Sequence, residues 1–316
     1  MLLNLKLLRI NKHMFRHPLF FNHGIRVDNF TRSEINQVGF LSHAHSDHTS
    51  GLYSTKCEVV YTTKLTKLLL ASNGLGAERV SFRIMRLGTV YAISPYIKAV
   101  ALESNHCPGS CMFIFMFVKE RINILFTGDF RMGPGLYHDQ FLQKLHFDCV
   151  LYDDTFVNID SKFPSYNDTY VNLKQRIKCL RAQKGPGVNI FIDTSILGFE
   201  TILIKYHKET GEYFRIGNRL SNTRKAQLRL VMGDYITEDV SCICLSSGKL
   251  TKPDEVWVYP TSVRFICEYS RDSSYIWFSA HATDAEILEL QNITRVSIDN
   301  MVPCGFSVLP LGCMKK

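Results

Sequence analysis

The 316-residue sequence has no apolar run long enough to cross a bilayer. Its longest, Cys111 to Val118, falls far short of the roughly 20 residues that a membrane helix needs. A helical membrane protein is therefore excluded, and the run is expected to form a buried strand. Ten cysteines are present, but no C-x-x-C pair occurs; the nearest approximations are Cys107/Cys111 and Cys242/Cys244. Scattered cysteines in a chain of this length do not build a disulfide framework and fit the reduced thiols of a cytosolic or nuclear protein. There is no internal repeat, no low-complexity linker and no H-E-x-x-H helix motif. Acidic residues are missing before Asp28, whereas Lys6, Arg9, Lys12, Arg16 and Arg26 are basic. Such a start fits either a mitochondrial transit peptide or a basic first strand.

What is present is ordinary for a globular protein: 46% hydrophobic and 21% charged residues, in a chain long enough for two domains or one domain with an insertion. A formal charge of +8 favours a polyanionic partner over a cationic one. From Val27 to about Phe156 the pattern predicts strands: Val38–Leu41, Val59–Thr62, Ile97–Leu102, Cys111–Val118, Ile122–Thr127 and Cys149–Tyr152, with a short helix at Thr63–Ala71. Several end close to a His or Asp, so polar side chains are expected to project from one edge of a buried sheet. Residues 157–265 differ. Tyr170, Leu173, Ile177 and Leu180 mark the apolar face of a helix, and Lys174, Lys178 and Arg181 line another. A strand at Val188–Ile192 follows, then a basic stretch from Arg215 to Arg229, and strands at Val256–Tyr259 and Tyr275–Phe278.

The chemistry is concentrated in His43-Ala44-His45-Ser46-Asp47-His48, directly after an apolar stretch. His43 and His45 are two residues apart, so an extended loop can turn both imidazoles to one metal, while Asp47 and His48 can reach a second. His106 in SNHCPGS follows a strand, with Pro108 and Gly109 shaping a tight turn. Asp129 in ILFTGDFR ends an apolar strand, where an unpaired carboxylate is costly and a bound cation solves the problem. His281 follows a buried aromatic strand in WFSAHATDAE.

Together, His43, His45, Asp47, His48, His106 and Asp129 resemble the ligand set of the metallo-β-lactamase superfamily. LYDDTF with Asp153, FPS at Phe163 to Ser165, GFE at Gly198 to Glu200 and FSAHATDAEI around His281 are similar to the β-CASP nucleases of the DNA cross-link repair group, in its Artemis-like branch. The resemblance extends from about Val27 onward. It implies a four-layer αββα metallo-β-lactamase sandwich carrying an inserted β-CASP α/β domain. The first part would be residues 1–156, the insertion 157–265, and the return 266–316. Artemis-like proteins usually continue into a long disordered tail, and the catalytic core alone is expected here.

The resemblance also implies roles. His43, His45, His106 and Asp129 would hold one metal; Asp47, His48, a bridging Asp129 and His281 would hold a second. Asp28 would support the histidine loop, and Asp153 would orient a ligand or help to move a proton. The donor set suits one or two zinc ions, with manganese or magnesium open at the second site. Two divalent ions would activate water and clamp phosphate oxygens during in-line phosphodiester hydrolysis. The implied substrate is DNA, single-stranded, with overhangs or as hairpins, and the implied setting is repair in the nucleus among other repair proteins, with no membrane contact. Lys174, Lys178 and Arg181 become candidate phosphate contacts.

Departures from the pattern qualify the expectation. The second β-CASP acid–base position should be a histidine near SCICLSS, where Cys242 stands. Related 5′-exonucleases carry a phosphate-binding Lys after the glycine matching Gly198, where this chain has Phe199; that points to structure-selective endonuclease cutting. Competing readings are an RNA-processing β-CASP nuclease, a small-molecule hydrolase of the glyoxalase or lactamase type, which would lack the insertion, and a weakly catalytic scaffold that binds DNA ends.

Overall fold

A computed structural model describes residues 17–72, 74, 76–157, 163–238, 243–248, 256–261 and 275–304. The basic residues Lys6, Arg9, Lys12 and Arg16 and the cysteine Cys242 lie outside the described residues. The first elements are helix α1 (Pro18–Asn22), strands β1 (Ile25–Val27), β2 (Val38–Phe40) and β3 (Val59–Thr63), helix α2 (Lys64–Ala71) and strand β4 (Phe82–Met85). β1 to β4 form a parallel sheet in that order.

Strands β5 (Val90–Ser94), β6 (Ile97–Glu103), β7 (Cys111–Phe117), β8 (Ile122–Phe126) and β9 (Cys149–Tyr152) follow, with short helices α3 (Pro134–Tyr137) and α4 (Gln140–Lys144) between the last two strands. They make a six-stranded sheet whose far edge is β15 (Met301–Pro303), paired parallel to β9. The longest apolar run of the sequence is β7. Its Phe113, Phe115 and Phe117 pack with Phe40 and Tyr61 of the first sheet, while Met112 and Ile114 pack on the other face with Leu142 of α4. Burial on both faces is why β7 reads as continuously apolar instead of alternating. The two sheets thus share one core, and Leu70 of α2 closes the outer face of the first sheet against Leu41 and Val60.

The remaining elements are helix α5 (Tyr166–Lys184), strand β10 (Ile190–Asp193), helix α6 (Glu200–Thr210), strand β11 (Arg215–Ile216), helix α7 (Asn222–Met232), strands β12 (Ile243–Ser246), β13 (Val256–Thr261) and β14 (Tyr275–Trp277), and helix α8 (Asp284–Thr294). β10 to β14 form a third, parallel sheet in the order β11-β12-β10-β13-β14. Helix α5 opens with a capping box, Ser165 and Asp168 satisfying each other's backbone donors. Its Leu173 and Ile177 join Ile202 and Leu203 of α6 and Leu228 of α7 over Ile190 and Ile192 of β10. The chain is a mixed α/β protein. Among the described residues no helix is long and apolar enough to cross a membrane, and Cys57, Cys107, Cys111, Cys149, Cys179 and Cys304 are free thiols.

Phe115 is fully buried, edge-on to both Phe20 and Phe40. Phe115→Ala is expected to cost about 3–5 kcal/mol, read as a lower urea midpoint with an unchanged slope.

Candidate metal centre

The candidate ligands sit on loops that leave the strands. The histidine loop follows β2, the His106 loop follows β6, and the residues after β8, β9 and β14 supply Asp129, Asp153 and His281. Each loop is held by its own contacts. The hydroxyls of Thr63, which caps α2, and Thr66 both donate to the carbonyl of Gly109, at 2.6 and 2.8 Å. Gly109 has φ +84°, and a Cβ there would stand 2.9 Å from the Thr66 nitrogen, so only glycine lets the NHCPG turn approach α2 this closely.

Asp28, at the end of β1, has φ 50°, a left-handed conformation that Asp tolerates better than most residues. Its buried carboxylate accepts from the Ser42 amide at 2.7 Å, the Ser42 hydroxyl at 2.5 Å and Nδ1 of His48 at 2.9 Å. Because the Ser42 hydroxyl donates to Asp28, His43 Nδ1, at 2.8 Å, donates to that oxygen. Two imidazoles are thereby fixed by one acid, leaving Nε2 of each facing inward.

The other rings are fixed by carbonyls. His45 Nε2 donates to the Leu197 carbonyl at 3.0 Å, and His106 Nδ1 to the Ala280 carbonyl at 2.8 Å. A carbonyl only accepts, so the opposite nitrogens, His45 Nδ1 and His106 Nε2, carry lone pairs when the rings are neutral. Those two nitrogens stand 2.9 Å apart. Burial lowers the pKa of both rings, and that of His43 as well, with neighbouring imidazoles adding to the effect. Two neutral acceptors aimed at each other at this separation repel, and a cation between them removes the conflict.

Asp129 completes the cluster. It is 3% exposed, and its Oδ2 lies 3.6 Å from His43 Nε2 and 3.4 Å from His106 Nε2. Oδ1 lies 3.3 Å from His48 Nε2. His43 Nε2 and Asp129 Oδ1 are buried without a hydrogen-bond partner among the described residues. One ligand atom each from His43, His45, His106 and Asp129 can be chosen so that all lie within 4.8 Å of one another. The donors present therefore fit a divalent metal. Burial opposes ionisation of Asp129, but His48, His281 and His106 outweigh it and hold the carboxyl well below its ordinary range. Burial likewise works against a charged His48, yet Asp129 and Asp28 raise its pKa well above the usual value.

A second group adjoins the first. Asp129, Asp153 and His281 also bring ligand atoms within 4.8 Å of one another. His281 Nδ1 is 3.0 Å from Asp153 Oδ2 and 3.7 Å from Asp129 Oδ2. Asp153 is fully buried and accepts further from the amides of Thr155 and Phe130, at 3.0 and 3.4 Å. Against the burial penalty, Asp153 and Asp129 push the pKa of His281 up to about 9. Asp47 is placed differently: its side chain is 55% exposed and its approach to the cluster is 3.7 Å, to His48 Nε2. Asp153, expected to orient a ligand or move a proton, is thus in contact with His281, while Asp47 lies on the exposed side of His48.

The basic helix face lies apart from this cluster. The Tyr166 hydroxyl, in the first turn of α5, donates to the Asn105 carbonyl at 2.6 Å, so α5 begins beside the His106 loop. Lys174, Lys178 and Arg181 follow about 12 to 22 Å along the axis at 1.5 Å per residue. Lys174 pairs with Glu209 at 3.3 Å, and Arg181 grips Glu212 with two bonds of 2.6 and 2.7 Å. Lys178 is exposed.

Sequence reading missed Arg131, two residues after Asp129. It is 3% exposed and donates from Nε to both carboxylate oxygens of Glu286 at 2.9 Å, and from Nη1 to the Ser279 carbonyl at 2.6 Å. Glu286 also closes the capping box of α8 with Thr283. The T-x-x-E spacing was a readable signal for that cap, but its pairing with Arg131 spans 155 residues. The bridge ties the Asp129 loop to the segment that carries His281.

No protein-family model matches the chain. The chain is similar to 5′ exonuclease Apollo of Gallus gallus, 32% identical over 192 residues, covering 61% of this chain and 39% of that protein. It is 32% identical over 148 residues to DNA cross-link repair 1A protein of Mus musculus, covering 46% and 14%. It is 26% identical over 224 residues to DNA cross-link repair protein pso2/snm1 of Schizosaccharomyces pombe, covering 69% and 40%. The matched stretches are thus less than half the length of these relatives. A crystal structure of a protein of unknown function from Enterococcus faecalis V583 superposes with a TM-score of 0.58 at 14% identity, over 85% of this chain and 75% of that one. At that identity the likeness concerns the fold alone. The similarity to the DNA cross-link repair group predicted from the motifs is present in aligned sequence.

Asp28→Ala removes the acceptor shared by Ser42 and His48. The expected result is metal affinity about 10- to 100-fold weaker, measured by chelator competition, with the far-ultraviolet spectrum retained.

Proposed function

We propose that this chain is the catalytic part of a metal-dependent DNA nuclease of the cross-link repair type, hydrolysing phosphodiester bonds. The observation that carries this reading is the opposed pair of lone-pair nitrogens on His45 and His106, closed by His43 and Asp129. These four residues would hold the first metal. Asp129, His281 and His48 would hold the second, with Asp47 at its exposed side. Zinc suits the histidine-rich first group, with manganese or magnesium open at the second. Bound there, the metal would lower the pKa of water and neutralise phosphate charge.

The chain's own residues have separable tasks in this scheme. Asp28 fixes His43 through Ser42 and fixes His48 directly. Asp153 orients His281 and supplies the carboxylate through which a proton can leave the site. The architecture we favour is the αββα metallo-β-lactamase sandwich with residues 157–265 as the inserted β-CASP domain. The core shared by two sheets, and a third sheet whose β10 to β13 fall within those numbers, support it. The names of the relatives support DNA over RNA as the substrate, and repair in the nucleus as the setting.

The same names raise 5′-exonuclease cutting, whereas Phe199 points the other way: its ring is buried and packs edge-on to Phe278, offering no cation to a 5′-phosphate. Labelled single-stranded, overhang and hairpin DNA, supplied with zinc, manganese or magnesium, separates the two by product length. Cleavage is expected to stop on chelation. In Asp129→Asn it is expected to fall by at least a thousandfold with DNA binding retained; unchanged cleavage in that variant would sink the two-metal reading, and cleavage of RNA alone would transfer it to RNA processing.

The ion pairs on α5 rank the basic residues. Lys178→Ala is expected to weaken DNA binding more than Lys174→Ala, because Lys174 is already engaged by Glu209. Removing one phosphate-bound ammonium in Lys178→Ala should lower the slope of log affinity against log salt by about 0.7 to 0.9, read by fluorescence anisotropy.

A further inference from the structure

The loop between β10 and α6, residues Thr194 to Phe199, reaches from the third sheet into the metal cluster. Its Leu197 carbonyl holds His45 Nε2 at 3.0 Å, while the Leu197 side chain packs against Cys107 and Leu69. Gly198 has φ +139°, open to glycine, and its Cβ position would lie 3.5 Å from the His106 carbonyl. Beneath this loop is a buried ion pair with no place in the chemistry. Arg224 of α7 is 5% exposed and Glu200 fully buried. Arg224 donates from Nε to the Thr194 carbonyl at 2.6 Å, and from Nη2 to the Ile196 carbonyl at 3.1 Å and to Glu200. Glu200 accepts in turn from the Gly198 amide at 2.7 Å. The two charges therefore grip the loop on both sides of Leu197, at residues 194, 196 and 198.

Burying an ion pair costs desolvation that its Coulomb attraction need not recover. Its contribution here is directional: Glu200 holds the Gly198 amide, which shares a peptide plane with the Leu197 carbonyl, while Arg224 holds the Ile196 carbonyl of the preceding peptide and the Thr194 carbonyl at the start of the loop. We propose that Glu200 and Arg224 are positioning residues that hold the Leu197 carbonyl on His45 Nε2, and so keep the Nδ1 lone pair of His45 turned to the first metal. The loop after β10 thereby sets metal affinity without contributing a metal ligand. This inference rests on the metal-site reading above.

The direct measurement is long-range nitrogen–proton correlation on the wild-type protein, metal-free and zinc-loaded. His45 is expected as the Nε2–H tautomer in both, and an Nδ1–H tautomer in either overturns the proposal. In variants, Glu200→Gln and Arg224→Lys should each weaken zinc binding about 10- to 100-fold by chelator competition, with a shifted visible spectrum in the cobalt-substituted protein. Leu230→Ala, an exposed change on the same helix, should leave both unchanged. A variant that melts at lower temperature yet binds zinc as tightly as wild type shows a purely structural pair and rejects the proposal. Asp129→Asn run alongside separates the two layers. If it too leaves zinc affinity unchanged, the metal site itself is wrong; if it alone weakens binding, only the positioning role fails.

Discussion

Asp129 places the strongest constraint on this structure. An ionised carboxylate at 3% exposure is unfavourable unless charge or hydrogen bonds compensate it, and here the compensation comes from imidazoles drawn from across the sequence. His43 and His48 come from one loop, His106 from another and His281 from the segment after β14, all within 3.3 to 3.7 Å of its oxygens. The fold has to bring these segments to one point and fix the tautomer of each ring. Asp28, Ser42, Asp153 and two backbone carbonyls share that work, so the residues that orient the rings are as necessary as the rings themselves.

The sheets provide the rigidity. Strands β6, β7 and β8 are buried on both faces, which leaves their ends as the sites where polar residues emerge. Loops leaving a tightly packed sheet have little freedom, and the turn at Gly109 and the bridge from Arg131 to Glu286 remove more of it. The centre needs support from all three sheets: His43 and His48 lean on β1 through Asp28, Asp129 and Asp153 extend from β8 and β9, and His45 leans on the loop after β10.

The basic helix face illustrates how tertiary partners change the meaning of a sequence pattern. Lys174 and Arg181 look like a phosphate track by spacing, but Glu209 and Glu212 lie within bonding distance in the folded chain. A lysine or arginine held by a carboxylate is a weaker competitor for phosphate than one in open solvent. Lys178 retains the exposed position.

Much of the fold was legible in the sequence, as were most of the side chains that the structure clusters around Asp129. The strands from Val38 to Tyr152 lie within about a residue of their expected positions, because continuous apolar runs and turn residues are local signals. His43, His45, His106 and Asp129 were readable as donors because each follows such a run. Short and partly exposed strands such as β1, β4 and β5 gave little local signal. What tertiary structure alone decided was which nitrogen of each histidine faces inward, that Asp153 bonds to His281 beside Asp129, and that Arg131, Glu200 and Arg224 direct their charges to loops. Most of those outcomes depend on pairings that span 14 to 174 residues. Residue type and local spacing determine what a side chain can donate or accept, and only the folded chain determines which partner stands opposite it.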